Sequence, residues 1–355
     1  MFESEKIKIL VVDDSAIVRD ILASIIEKQE DMILVGTAPD PFIARDKIVR
    51  LNPDIITLDI EMPRMDGLTF LEKLMQYYPM PAIIVSSITT NDKYAAIKAL
   101  ELGAYDVVNK PGGSLSVDQV ADEILLKIRN AYFNRNTFLK KWKELSPKFV
   151  KERKTLHKPV LAQVATTEKI IAIGASTGGT VALEYIFERL PQHLPPIVVA
   201  QHMPVNFTNQ FAQRLNDICQ LTVKEAEDEE LLQVGTTYIA PGGKHLVVER
   251  RGASLFALHD DSDKVNFQKP AADVLFMSVA KVAGKNALGI LLTGMGKDGA
   301  AGLLEMKNAG AHTIAQDEAT SIVWGMPRAA IELGAAVEVL SLDEIIKAII
   351  AFAQT

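Results

Sequence analysis

Ser176, His202 and Asp298 are the residues whose types could do chemistry together: a hydroxyl nucleophile, an imidazole base and a carboxylate to orient that base. Each stands just beyond a short apolar run rich in β-branched residues, Ile170 to Ile173, Ile197 to Ala200 and Leu288 to Leu292. If those runs are strands of an open parallel sheet, the three side chains gather at its carboxyl edge although they are far apart in sequence. Serine hydrolysis is the chemistry this set suits.

Taken singly, each residue has other uses. Gly174-Ala175-Ser176-Thr177-Gly178 fits the G-x-S-x-G pattern of a strand-to-helix nucleophile turn. The same glycine-rich turn ahead of a helix also suits phosphate binding through backbone amides, or a purely structural bend. Asp298, within Thr293-Gly294-Met295-Gly296-Lys297-Asp298-Gly299, equally suits a helix cap or a phosphate loop. Of the histidines, His157, His193, His245, His259 and His312 fall in loops, in hairpin candidates or ahead of strands, whereas His202 directly follows a parallel-strand pattern. A base must come within about 2.6 to 3.2 Å of its nucleophile, and adjacent strand ends permit that. The order Ser, His, Asp differs from the Ser, Asp, His order of α/β-hydrolases, so this is a separate route to the same constellation.

A second set of polar residues also sits at strand ends. Asp13 and Asp14 follow Ile9 to Val12, Asp59 follows Ile55 to Leu58, Ser86 follows Ile83 to Val85, and Lys110 follows Val107 to Asn109. Clustered carboxylates make a hard oxygen site suited to Mg²⁺. With a lysine beside them, an aspartate can accept a phosphoryl group while the cations neutralise its charge. The competing role for Asp13 and Asp14 is to cap the helix that begins near Ala16.

The elements that must position these residues follow from pattern. At 355 residues the chain exceeds one ordinary core, so two domains are expected at roughly 100 to 200 residues each. Apolar content of 48% and charged content of 23% are those of a globular protein. The net charge of -7 supplies no basic field for nucleic acid or anionic lipid. A single cysteine, Cys219, can form no internal disulfide, which fits a reducing compartment. A charged amino terminus and the lack of any uncharged apolar run near ~18 residues lead us to expect a cytosolic protein with no membrane insertion.

The first half alternates strand patterns (Ile7 to Val12, Met32 to Thr37, Ile55 to Leu58, Ala82 to Val85, Val107 to Val108) with helical ones, the fifth over Val117 to Tyr132. That is a (βα)5 doubly wound α/β domain over residues 1–133. A basic linker is expected over 134–167, where periodicity fades and Pro147 and Pro159 act as breakers. A second doubly wound, mostly parallel α/β domain is expected over 168–355, with an antiparallel hairpin insertion built from Tyr238 to Ile239, Leu246 to Glu249 and Ser254 to Leu258.

The segment Asp59-Ile60-Glu61-Met62-Pro63-Arg64-Met65-Asp66-Gly67 resembles the phosphoacceptor segment of response-regulator receiver domains. The resemblance implies phosphorylation at Asp59 and Mg²⁺ held by Asp14, Asp59 and the Glu61 backbone carbonyl, with Asp13 in support. It further implies phosphoryl contacts from Ser86 and Lys110 and a cis bond before Pro111. Val107 stands where many receivers carry an aromatic residue.

Lys169 to Ala353 is similar to the catalytic domain of the chemotaxis protein-glutamate methylesterase family, CheB. The match includes Gln201-His202-Met203-Pro204, Tyr238 to Gly243, Asp273-Val274-Leu275-Phe276, Gly294 to Gly299 and Gly325-Met326-Pro327. It implies Ser176 as nucleophile, His202 as base, Asp298 as its orienter, and the amides of Thr177 and Met295 as oxyanion donors. Ala271-Ala272 depart from the more polar residues common in that family after the proline. The activity implied is hydrolysis of γ-glutamyl methyl esters on chemoreceptors, with deamidation of receptor glutamines and no cofactor for the hydrolysis. A chemotaxis histidine kinase is the implied phosphodonor, and phosphorylation is implied to uncover the catalytic face. The other reading is a phosphorylation-controlled binding protein whose hydrolase-like half is silent. A nucleic-acid-binding output would want a helix-turn-helix and a basic face, and the sequence shows neither.

Overall fold

The computed structural model describes residues 6–86, 94–111, 117–149, 168–205 and 207–354. The chain divides into two compact units, Met1–Glu144 and Leu145–Thr355.

The first unit runs β1 (Ile7–Val12), α1 (Ala16–Glu27), β2 (Met32–Ala38), α2 (Pro41–Leu51), β3 (Ile55–Leu58), α3 (Gly67–Tyr77), β4 (Ala82–Ser86), α4 (Ala95–Glu101), β5 (Asp106–Asn109) and α5 (Val117–Phe149). Its strands are parallel in the order β2-β1-β3-β4-β5. Every residue of β3 and β4 is buried, which is why these strands read as continuous apolar runs: helices cover both faces. The order reverses between β1 and β3, so the crevice of the sheet opens where Asp13, Asp14 and Asp59 stand.

The fifth helix does not end near Tyr132. It continues to Phe149, and the first part of the segment assigned to a linker is therefore helical. The cause is a sparse apolar stripe. Ala131 and Phe138 are buried, one residue every two turns, and Phe138 packs edge-on against Tyr105 at 4.9 Å between centroids and stacks with Trp142 at 6.4 Å. Past Phe138, Leu139, Lys140, Lys141, Lys143 and Glu144 favour helix without adding periodicity. The remainder of the expected linker, 150–167, lies outside the described residues.

The second unit begins β6 (Ile170–Ala175), α6 (Gly179–Phe187), β7 (Ile197–Gln201), α7 (Phe207–Ile218), β8 (Thr222–Glu225), β9 (Glu230–Leu231), β10 (Thr236–Ile239), β11 (His245–Arg251) and β12 (Ser254–Asp260). It continues α8 (Ala272–Ala283), β13 (Ala287–Leu291), α9 (Ala300–Asn308), β14 (His312–Gln316), α10 (Met326–Glu332), β15 (Glu338–Leu340) and α11 (Leu342–Gln354). The main sheet is parallel throughout in the order β15-β14-β13-β6-β7-β10-β8. Strands β11, β12 and β9 form a separate antiparallel sheet. Tyr238–Ile239, expected among the hairpin strands, instead belongs to β10 between β7 and β8 of the parallel sheet. Its inner residues Thr237, Tyr238 and Ile239 are all buried, a burial that a hairpin with one wet face does not offer.

Here the order reverses between β13 and β6. Ser176 follows β6, His202 follows β7, and the Thr293 to Asp298 loop follows β13, so the three chemical residues converge at the switch point. Phe276, Leu291, Leu303 and Met326 pack beneath this edge as part of the core. Among the described residues no helix is long and apolar enough to cross a membrane.

Candidate active site and phosphoacceptor site

In the first unit Asp59, buried at the end of β3, accepts a hydrogen bond from Lys110 Nζ at 2.7 Å and one from the Glu61 amide at 3.3 Å. Lys110 also lies 3.1 Å from Asp13 Oδ2. Asp13, Asp14 and Asp59 each offer a carboxylate oxygen, all within 4.8 Å of one another. Neither Asp13 nor Asp14 caps α1; Ser15 does, accepting from the Val18 amide, while Asp13 takes the Ser15 amide at 2.8 Å. Ser86 ends β4, beside β3, and its carbonyl accepts the Lys110 amide at 3.0 Å. Val107 is buried within β5 opposite Ile84. Only Lys269–Pro270 is cis among the described residues, so the bond before Pro111 is trans, contrary to the expectation. The two isomers of such a bond differ by only about 0.5 to 1 kcal/mol, and local contacts decide between them.

The electrostatics of this pocket are unbalanced. Burial pushes the Asp59 carboxyl up to about 6, with the Lys110 hydrogen bond and charge opposing it and the Asp13 charge adding to it. Burial likewise raises Asp13 despite Lys110. For Lys110 burial is outweighed by Asp59 and Asp13, which hold its ammonium charged. Three carboxylates cluster beside one lysine, which pairs with two of them, Asp59 and Asp13. Hard oxygens and an excess of negative charge over the single lysine fit a small divalent cation such as Mg²⁺.

In the second unit the register places the nucleophile candidate. Ala175 pairs with Gln201, so Ser176 and His202 are the next residues on adjacent strands, and the His202 amide bonds the Ala175 carbonyl at 3.0 Å. From the other side the Ser176 amide donates to the Thr293 carbonyl at 3.0 Å. The Ser176 carbonyl accepts the Gly179 amide at 2.7 Å and Gln201 Nε2 at 3.0 Å, closing a tight turn in which Gly178 has φ +79°.

His202 meets Asp298 through Nε2, at 2.7 Å from Oδ2. Its Nδ1 is buried and makes no hydrogen bond, so a resting bond to the Ser176 hydroxyl is not formed. Such contacts often tighten only when substrate arrives. Asp298 is 2% exposed and is held on every side: Oδ2 also accepts the Ala272 amide at 2.6 Å, and Oδ1 accepts the Asp273 amide at 3.2 Å and Asn266 Nδ2 at 3.1 Å. The two amides open α8, so the helix N-terminus favours the carboxylate's charge. Burial would raise this carboxyl, but the hydrogen bond and charge of His202, then the Ala272 amide and Asn266, keep it below the ordinary aspartate range.

Thr177 is buried, and its carbonyl accepts the Thr293 hydroxyl at 3.0 Å, while that hydroxyl oxygen accepts the Val323 amide at 2.9 Å. The Thr293 amide donates to Gln316 at 2.7 Å. Gly294 packs so close to Ser176 that a Cβ there would stand 2.7 Å from the serine Cβ. Thr177 and Met295 therefore lie in the two turns that flank Ser176. Sequence reasoning missed Asn266, Asp273, Thr293, Gln201 and Gln316 as supports of the site. Gln201 had a signal, as a polar residue ending a strand beside His202. Asn266 had none, since it sits in a loop without periodicity.

Residues 9–120 match the family model of the response regulator receiver domain, and residues 171–349 that of the CheB methylesterase. The protein-glutamate methylesterase/protein-glutamine glutaminase 2 of Syntrophus aciditrophicus is 52% identical over 96% of this chain and 97% of its own. The protein-glutamate methylesterase/protein-glutamine glutaminase of Salmonella typhimurium is 48% identical, covering 96% and 95%. The crystal structure of the Thermotoga maritima CheB methylesterase catalytic domain superposes with a TM-score of 0.51 at 43% identity, over 52% of this chain and 97% of that one. A receiver followed by an α/β unit with Ser, His and Asp at its sheet edge defines a response regulator with a hydrolase-type output. The chain belongs to the CheB methylesterase family.

Proposed function

We propose that this protein hydrolyses γ-glutamyl methyl esters on chemoreceptors, releasing methanol, deamidates particular receptor glutamines to glutamate, and is activated by phosphorylation at Asp59. The observation that carries the hydrolysis is the buried His202–Asp298 pair beside Ser176, with Nδ1 left as the nitrogen able to take a proton. The family membership favours an active enzyme over a silent binding protein.

In the proposed reaction the Ser176 hydroxyl attacks the side-chain carbonyl carbon as its proton passes to His202 Nδ1. Asp298 holds the ring through Nε2 and stabilises the imidazolium. The amides of Thr177 and Met295 donate to the developing oxyanion, and loss of one such donor typically costs about 3 to 4 kcal/mol of barrier. The intermediate collapses as His202 returns the proton to the leaving methoxide, giving methanol, or to the leaving amide, giving ammonia. Water then attacks the glutamyl-enzyme with the same base and frees Ser176.

On this reading residues 1–133 are the receiver, 134–167 the basic connector and 168–355 the catalytic domain, with α5 carrying helix into the connector. Asp13, Asp14, Asp59 and the Glu61 carbonyl are the groups proposed to hold Mg²⁺, which would neutralise phosphoryl oxygens when bound. Lys110 and Ser86 are the proposed phosphoryl contacts. The phosphodonor is a chemotaxis histidine kinase, and the receptor substrates place the enzyme in the cytoplasm.

The test is methanol and ammonia release from purified methylated receptors with and without a small-molecule phosphodonor. Ser176→Ala should abolish both products while phosphoryl uptake persists, and continued turnover would reject Ser176 as nucleophile. Asp59→Ala should keep basal hydrolysis and lose stimulation; retained stimulation would reject the switch.

A further inference from the structure

The Asp298 carboxylate is braced by a residue that the catalytic reading does not use. Val265 and Gln268 exchange backbone hydrogen bonds at 3.1 and 2.9 Å, which closes a two-residue tip made of Asn266 and Phe267. Both tip residues are left-handed, at φ 51° and 65°. That is the geometry of a primed hairpin turn, in which asparagine is tolerated better than most residues. Phe267 is 81% exposed, whereas the Asn266 side chain turns inward.

One nitrogen of Asn266 serves two carboxylates. Nδ2 donates to Asp298 Oδ1 at 3.1 Å and to Asp273 Oδ2 at 2.8 Å. Asp273 is anchored in turn, since its Oδ1 accepts the Gly302 amide of α9 at 2.7 Å. A line of contacts therefore runs from α9 through Asp273 and Asn266 to Asp298, and from there to His202. Two buried like charges this close are costly unless a donor lies between them, and the Asn266 amide is that donor.

We propose that Asn266 is a positioning residue for the reaction of Ser176, His202 and Asp298, and that Asp273 acts through it. The Asn266 amide fixes the plane in which Asp298 meets Nε2 and draws off part of the carboxylate's charge, so His202 keeps Nε2 on Asp298 and Nδ1 as the base. Asp273 locks the amide so that its NH₂, not its carbonyl, faces Asp298. The directions of titration agree. Burial and the Asp298 charge together push Asp273 upward against the Gly302 amide and Asn266, while Asp298 is held down. The inference rests on the proposed roles of His202 and Asp298 and goes beyond them by assigning the group that sets their geometry.

The experiment uses the full chain and methanol release from methylated receptors. Asn266→Gly deletes the amide yet keeps the left-handed backbone, so the turn survives. We expect kcat to fall about tenfold, the order of one hydrogen bond to a charged group, with KM within twofold. The acidic limb of the kcat/KM profile should move to higher pH by about half a unit or more, because Asp298 with one donor fewer holds the protonated base more tightly. Asp273→Asn should also lower kcat, and the double variant should be no slower than Asn266→Gly alone. A profile that stays in place, or losses that multiply in the double variant, would overturn the proposal. If the wild-type protein released no methanol, the hydrolase reading itself would fall, which is a separate outcome.

Discussion

His202 presents Nε2 to Asp298, at 2.7 Å, and leaves Nδ1 buried without a partner. A histidine held this way carries its proton on Nε2 in the neutral state, so Nδ1 is the basic nitrogen. Asparagine at 298 would offer an NH₂ to Nε2 and force the ring proton onto Nδ1. Asp298→Asn should therefore lower kcat by roughly 10⁴-fold, the scale seen when a triad carboxylate is amidated, with little change in KM, and should lower the melting temperature because the new NH₂ faces the Ala272 amide. Methanol release under saturating receptor measures it. A loss under tenfold would mean that the tautomer is set elsewhere.

Gly294 is the contact on which the nucleophile's position depends. A Cβ there would come within 2.3 Å of Met326 Sδ and 2.7 Å of Ser176 Cβ. Methionine can swing away, but the serine backbone, tied to Thr293, cannot yield without moving the hydroxyl. Displacement of a reacting group by about 1 Å can cost on the order of 100-fold. Gly294→Ala should thus lose about 100-fold in kcat/KM while phosphoryl uptake at Asp59 remains normal. Unchanged hydrolysis would show that the loop after β13 has slack.

What the sequence disclosed and what it hid divide along physical lines. Strands buried on both faces, such as Ile170–Ala175 and Ile197–Gln201, announce themselves as apolar runs, and the residues just past them mark the sheet edge. Ser176, His202 and Asp59 stood out as candidates for that reason, and Asp298 through the glycine-rich loop that follows β13. β10 was misplaced because four residues carry too little pattern to choose between parallel and antiparallel partners. Asn266 was illegible because its role depends on a turn folding back 32 residues from Asp298, and no periodicity encodes that. The continuation of α5 was hidden by its single buried anchor per two turns.

That continuation has a stability consequence. Phe138 is 2% exposed and fills the space beside Tyr105 and Trp142. Phe138→Ala should cost about 3 to 5 kcal/mol, the range for emptying a buried aromatic site. Urea unfolding followed by Trp142 fluorescence in a Trp324→Phe background reads the first unit alone. A cost below about 1 kcal/mol would mean that the helix beyond Tyr132 contributes nothing to this unit's core.

Asp40 gives a pH dependence with a defined sign. It caps α2, accepting the Phe42 and Ile43 amides at 2.8 and 3.0 Å and pairing with Arg64. Burial raises its carboxyl, but the Ile43 and Phe42 amides and then Arg64 outweigh burial and hold it below the ordinary aspartate range. A group whose folded pKa is depressed contributes fully above its unfolded value of about 3.9 and loses that contribution as pH falls through the folded value. Asp40→Ala should therefore destabilise the first unit by about 1 to 2 kcal/mol at pH 7, the usual cost of removing such a cap. The gap between variant and wild type should stay constant down to about pH 5 and narrow only below about pH 4. The same fluorescence-detected unfolding, repeated from pH 3 to 7, measures the gap. A gap that widened on acidification would show that the carboxyl is raised, not lowered, on folding, and that the cap is not what the ionised side chain supplies.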